Sequence, residues 1–305
     1  MSPLDLQVNG YAGVDFNGDD LAAGDLHAAC AALRDDGTGA ILATIITDAA
    51  EKMTARLDRL AELRAADPLV ASVIAGLHVE GPFISPEPGY VGAHPVEHVR
   101  RADAGFAERL VEAGGGLVKL VTLAPEQDPG FAVTKHLAAR GIAVSAGHCD
   151  PSLDQLRGAL DSGLSMFTHL GNGCPAHLPR HDNIVQRALS LADRMWITFI
   201  PDGAHIDFFA LRNYLRAAGT ERVIMVSDAI SAARLGPGSY TLASWTLDIG
   251  TDLVARAPGG DHLVGSTLTM PRIRENLGAA LGLSPGEIEQ VIAVNPRRAL
   301  GMDEV

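Results

Sequence analysis

Short apolar runs alternate along the chain with stretches of helical periodicity. Eight runs read as strands of a parallel sheet: LDLQVNG, AILATIITD, SVIAGLHVEGP, LVKLVTLAPE, IAVSAGH, SMFTHL, WITFIPDG and VIMVSDA. Between them, residues 19–35, 49–66, 96–113, 129–140, 151–162, 182–193 and 206–218 carry the apolar spacing of amphipathic helices. Strand and helix in strict alternation predict an α/β fold, most economically a (β/α)8 TIM barrel.

The rhythm changes after the eighth run. GSYTLASWTLDIGTDLVARAPGGDHLVGSTLTM alternates apolar residues with turn formers, which predicts a β excursion at about 240–265. A last barrel helix is expected at about 269–281, and LSPGEIEQ opens a terminal helix with a capping-box pattern. No Pro/Ser-rich linker and no internal repeat divides the chain, so residues 1–305 are expected to form one domain.

Polar residues gather at the ends of the apolar runs. Gln7 and Asn9, Thr47 and Asp48, His78 and Glu80, Glu126, His148, His169, Asp202 with His205, and Asp228 all stand there. A barrel collects the C-terminal ends of its strands at one mouth, where active sites form.

Glu80, His148 and His169 supply one carboxylate and two imidazoles from the third, fifth and sixth runs. Any one alone is better read as a hydrogen-bonded structural residue. Together they form a common three-ligand set for a divalent ion, with the fourth position left to water. Asp228 ends the eighth run; alone it could cap a turn. Beside a metal that brings the pKa of its water to about 7, it suits a general base.

Gln7 and Asn9 share one face of the first strand, at the place where a His-x-His pair would grip a metal. Neutral carboxamides bind a second ion poorly, so a single metal is expected. Gln7, Asn9 and His78 are then expected to hydrogen-bond around the ligands without joining them.

Composition narrows the choice of partner. The formal charge is −13 and no basic run occurs, which disfavours nucleic acid but leaves room for a small anion held by one or two placed arginines. Neither a leader-like apolar segment nor a run of membrane length is present, so a cytoplasmic protein without a membrane partner is expected. Three cysteines without CxxC spacing, Cys30, Cys149 and Cys174, read as reduced thiols.

The stretches GLHVEGPFISPEPGYVGAHP, SAGHCDPSLDQL, FTHLGNGCP, IPDGAHID, VSDA and LVGSTLTM occur in order over nearly the whole chain, from DLQVNG to NPRRALGM. In that order and spacing the sequence resembles the N-acetylglucosamine-6-phosphate deacetylases of the amidohydrolase superfamily. The resemblance implies a metal-dependent barrel that removes acetate from a phosphorylated amino sugar. It makes Glu80, His148 and His169 the metal ligands, with Zn2+ first and Fe2+, Mn2+ or Co2+ as substitutes, and Asp228 the general acid/base.

It further implies that His94, next to Ala93, polarises the acetamide carbonyl. Asn172, Gly173 and His205 would hold the sugar phosphate, and Leu263 would line the acetyl pocket. Arg180, eight residues after Asn172, would reach the phosphate of a neighbouring subunit, which implies a homodimer. Another N-acylated amino sugar as substrate, and a non-catalytic metabolite-binding barrel, stand as alternatives.

Two departures from the family pattern stand out. Relatives usually add a small β-sandwich domain built from residues flanking the barrel, and too few flanking residues occur here for it. The loop LGNGCPAHLPRHDN also replaces the usual pattern. It brings Cys174, His177, His181 and Asp182 near the expected phosphate site, as packing or rim residues or as groups that retune specificity.

Overall fold

A computed structural model describes residues 1–243, 245–257, 259 and 262–302. Its centre is an eight-stranded parallel sheet. The strands are β1 (Leu4–Val8), β2 (Ala40–Ile46), β3 (Ile74–Glu80), β4 (Val118–Leu123), β5 (Ala143–Ala146), β6 (Leu164–Phe167), β7 (Trp196–Phe199) and β8 (Val223–Met225), hydrogen-bonded in chain order. The longer strands are rich in Val, Ile and Leu, and all eight are nearly all buried, as strands covered on both faces must be.

The seam between first and last strand closes just beyond their ends. Val8 bridges Ala229, and the Asn9 N–H donates to the Ala229 carbonyl at 2.7 Å. Asp5 stitches the same seam lower down, its carboxylate accepting the Ser227 N–H at 3.1–3.2 Å. Burial pushes the Asp5 carboxyl up to about 6, partly offset by its hydrogen bonds to Ser227 and Gln7.

The helices that follow the strands are α1 (Ala23–Asp35), α2 (Ala50–Ala66), α3 (Ala104–Ala113), α4 (Ala132–Ala139), α5 (Leu153–Asp161), α6 (Ile184–Leu189), α7 (Phe208–Ala218) and α8 (Met270–Glu275). Local chemistry sets several of their starts. Ser152 and Gln155 form a full capping box on α5, and Ser284 and Glu287 form another where LSPGEIEQ opens the terminal helix Pro285–Glu289. The pattern at 96–113 extends too far forward, because Asp103 accepts the Phe106 N–H and begins α3 only there.

After β8 the excursion forms the hairpin β9 (Gly238–Leu242) and β10 (Trp245–Ile249), followed by a bridge between Arg256 and Leu263. Leu242, Leu247, Ile249 and Val264 bury a small core of their own against Ile46 and Ile230. The hairpin thus covers one side of the barrel mouth. Trp245 Nε1–H donates to the Ala93 carbonyl at 3.0 Å, tying this cover to the loop that carries His94.

Among the described residues there is no β-sandwich domain, and no helix is long and apolar enough to cross a membrane. Inside the barrel, beneath the mouth, lies a polar layer. His78 Nε2 meets Thr122 Oγ1 at 2.8 Å, Thr122 meets Thr168 at 2.8 Å, and Ser145 meets Thr168 at 2.6 Å. These mutual bonds satisfy side chains that water cannot reach.

Candidate metal and active site

Three ligand atoms converge at the C-terminal mouth. Glu80 Oε1 lies 2.9 Å from His169 Nε2 and 3.3 Å from His148 Nε2, and the two imidazole nitrogens are 3.2 Å apart. Tetrahedral ligands at 2.0–2.1 Å from a zinc ion would stand about 3.3 Å from one another. The spacing fits.

Hydrogen bonds fix which nitrogen faces the group. His148 Nδ1 lies 2.8 Å from the Tyr90 carbonyl, which only accepts, so Nδ1 carries a proton and Nε2 keeps its lone pair. The ring also sits between two loop glycines. A Cβ at Gly92 would come within 3.1 Å of His148 Cε1, and one at Gly173 within 2.9 Å of His148 Nδ1. His148, His169 and Asp228 take positive φ values of 51°, 34° and 52°. That conformation costs a non-glycine residue about 1–3 kcal/mol, a strain that recurs at functional sites.

Two carboxamides complete the floor. Gln7 Nε2 donates to Glu80 Oε1 at 3.0 Å, and Asn9 Nδ2 donates to Asp228 Oδ1 at 2.7 Å. Although burial opposes ionisation of Glu80, bonds from His148 and His169 hold it well below the usual carboxylate range. Asp228 goes the other way. Burial and the negative charge of Glu80 push it up to about 7, partly offset by His169, His205 and Asn9.

His94 arrives from the loop between β3 and α3. His94 Nδ1 faces Thr47, 2.9 Å from its Oγ1 and 3.4 Å from its backbone nitrogen, which leaves Nε2 turned toward the metal group, 3.3 Å from His148 Nε2. Burial, reinforced by His148, lowers the pKa of the ring to about 3, which keeps it neutral.

Asn172, Gly173 and His205 line the same cavity, as do Ala93 and Leu263. His78 stays in the threonine layer below, bonded to Thr44 and Thr122. Arg180, His177 and His181 lie exposed on the 171–183 loop and do not line the cavity, whereas Cys174 does. Asp182 holds Arg187 at 2.6 Å, and Arg187 in turn reaches Asp150 at 2.7 Å.

Ile46, Leu242 and His262 are lining residues that pattern reading passed over. Ile46 and Leu242 looked like ordinary strand apolars, and only the hairpin fold brings Leu242 to the mouth. His262 is exposed, its ring edge-on to Trp245 at 6.1 Å.

Known proteins share this architecture. The chain is 30% identical over 302 residues to an N-acetylgalactosamine-6-phosphate deacetylase of Escherichia coli, covering 99% of this chain and 78% of that protein. It is 33% identical over 311 residues to the N-acetylglucosamine-6-phosphate deacetylase of Homo sapiens, covering 99% of this chain and 74% of that one. A solved variant of the Mycobacterium smegmatis N-acetyl-D-glucosamine-6-phosphate deacetylase, in complex with N-acetyl-D-glucosamine-6-phosphate, matches with a TM-score of 0.89 at 30% identity. That match covers 98% of this chain and 77% of the other. The Thermotoga maritima N-acetylglucosamine-6-phosphate deacetylase matches at 0.86 and 28% identity, over 99% and 79%. No family model matches the chain. With identity of 30% or more running through nearly all of its length, the chain belongs to the N-acetylglucosamine-6-phosphate deacetylase family of amidohydrolases.

Proposed function

We propose that this protein hydrolyses the acetamide of N-acetylglucosamine 6-phosphate to glucosamine 6-phosphate and acetate. The observation that carries the reading is the convergence of Glu80, His148 and His169 within 3.3 Å, with Asp228 and His94 facing the same cavity. Glu80, His148 and His169 would hold one divalent ion, Zn2+ by preference, with Fe2+, Mn2+ or Co2+ suiting the same donors. When bound, the ion supplies Lewis acidity to water and to the acetamide carbonyl.

The protein's own groups move the protons. Asn9 occupies Asp228 Oδ1, which leaves Oδ2 to take a proton from the attacking water and return it to the leaving nitrogen. A value of about 7 suits a group that must accept and then donate. His94 Nε2–H donates to the carbonyl oxygen as negative charge builds there. Gln7 steadies Glu80 through the 3.0 Å bond.

Asn172, Gly173 and His205 take the sugar phosphate in this reading, with Ala93 and Leu263 beside the acetyl group. Arg180 serves a neighbouring subunit's phosphate across a homodimer; its spacing from Asn172 and its exposure support that role. Three free thiols and a phosphorylated substrate suit a cytoplasmic enzyme. The alternative, a neighbouring N-acylated amino sugar, is decided by the same assay.

Purified zinc-loaded protein should release acetate from N-acetylglucosamine 6-phosphate, and Asp228→Asn should lose the activity by about 100-fold or more. The galactosamine epimer and the unphosphorylated sugars belong in the same assay. No acetate from any of them above the Asp228→Asn background would refute the deacetylase reading.

A further inference from the structure

The turn that follows β7 closes on itself. Asp202 Oδ1 accepts the backbone N–H groups of Ala204 at 2.9 Å and His205 at 2.8 Å, while Oδ2 meets His205 Nδ1 at 2.6 Å. The two side chains are 14% and 6% exposed. Both carboxylate oxygens are therefore occupied by N–H donors, and the imidazole presents Nε2 as the nitrogen left for a ligand.

Charge in the cavity makes this pair matter. Among the described residues the cavity wall carries no Lys and no Arg. His94 Nε2 lies 3.3 Å from His148 Nε2, and His148 and His169 face Glu80, so these three imidazoles belong to the metal group. His205 is thus the buried imidazole free to present a positive charge to a phosphate on this subunit.

We propose that Asp202 is a positioning residue that fixes His205 as a cation with its Nε2–H aimed into the cavity, and that this pair sets the preference for phosphorylated over unphosphorylated amino sugars. The proposal rests on the deacetylase reading for its substrate. Burial by itself would make the ring less basic, but the bond and charge of Asp202, with a smaller contribution from Asp228, raise it. Asp202 correspondingly stays below the usual carboxylate range, burial being outweighed by His205.

The charged groups facing His205 are Asp202 in its own turn and Asp228 from the end of β8. Cys174 lines the same cavity, and burial pushes its thiol up to about 11, so it adds no charge.

Asp202→Asn separates charge from shape. The amide oxygen can still accept the two backbone N–H groups, but its NH2 then faces Nδ1 and turns that nitrogen into an acceptor. The ring keeps Nε2–H and loses its charge. On zinc-loaded protein at pH 7.5, the ratio of kcat/KM for N-acetylglucosamine 6-phosphate to that for N-acetylglucosamine should fall roughly 10- to 100-fold, chiefly through KM. In a His205→Gln background the same Asp202 change should lower the ratio no further.

A readout without turnover accompanies this. Titrating inorganic phosphate into the protein while following the His205 ring by NMR should give at least roughly tenfold weaker binding, and a lower ring pKa, in Asp202→Asn. An equal loss on both sugars, an unchanged ratio, or unchanged phosphate binding would overturn the proposal. If neither sugar releases acetate in the parent protein, the deacetylase reading fails and the phosphate titration alone decides the Asp202–His205 pair.

Discussion

Asn9 Nδ2 donates to Asp228 Oδ1 at 2.7 Å, joining the first strand to the end of the eighth across 219 residues of sequence. This bond stabilises the ionised carboxylate and opposes the burial that pushes Asp228 up to about 7. Asn9→Ala removes the donor, so the Asp228 value rises and a smaller fraction is ionised at neutral pH. The acidic limb of the kcat/KM profile should move up by roughly one unit, with the loss largest near pH 6.5 and smallest above pH 9. A uniform loss at every pH would show that Asn9 acts on something other than the base.

Gln7 and Asn9 spend their amide N–H groups on Glu80 and Asp228, and neither offers the imidazole that a second ion would need. Metal analysis of the zinc-saturated protein should therefore find about one ion per chain, and chelation should abolish acetate release until metal is restored. The double change Gln7→His with Asn9→His tests whether a second ion can be recruited. Two tightly held ions in the unmodified protein would contradict this account.

Gly173 stands so close to His148 that a Cβ there would lie 2.9 Å from the ring's Nδ1. The same nitrogen is pinned to the Tyr90 carbonyl, so the ring cannot retreat without losing its orienting bond. Gly173→Ala should weaken zinc binding about 10- to 100-fold, the scale set by disturbing groups that orient a ligand. Competition against a chromogenic chelator measures it; unchanged affinity would mean that the loop yields instead.

Glu126 offers a pH test outside the cavity. Burial pushes its carboxyl up to about 7, partly offset by the bond from the Asp150 N–H at 2.7 Å, and its second oxygen has no partner. A folded-state value above the ordinary 4.5 means that the native protein binds the proton more tightly than the unfolded chain. This stability is fully present below about 4.5 and is lost as pH rises through about 7. Glu126→Gln keeps the acceptor for Asp150 without the ionisation. Its stability relative to the parent should improve between pH 5 and pH 8 by about 1–3 kcal/mol in urea unfolding, and an identical difference at both pH values would contradict the assignment.

Much of the fold was legible because it is written locally. Period-two and period-3.6 patterns need only neighbouring residues, so the eight strands and the helices between them emerge from the sequence. The same patterning marked Glu80, His148, His169 and Asp228, since a polar residue ending an apolar strand has little other place to go than the mouth of a barrel. Where local chemistry competes with periodicity the pattern misleads. Asp103 caps its helix and leaves residues 99–102 outside α3.

By itself, then, the sequence determined the barrel, the strand ends that carry chemistry, and the carboxamides in place of histidines on the first strand. Tertiary structure decided what each of those groups can do. The Tyr90 carbonyl selects the free nitrogen of His148, Thr47 turns His94 Nε2 toward the metal group, and Gln7 and Asn9 each settle on a different carboxylate. It also left Arg180 exposed and turned Asp202 onto His205. The physical reason is range. Periodicity is set by residues a few positions apart, whereas tautomer, charge and ligand geometry depend on partners that the closing barrel brings into hydrogen-bonding distance from distant parts of the chain.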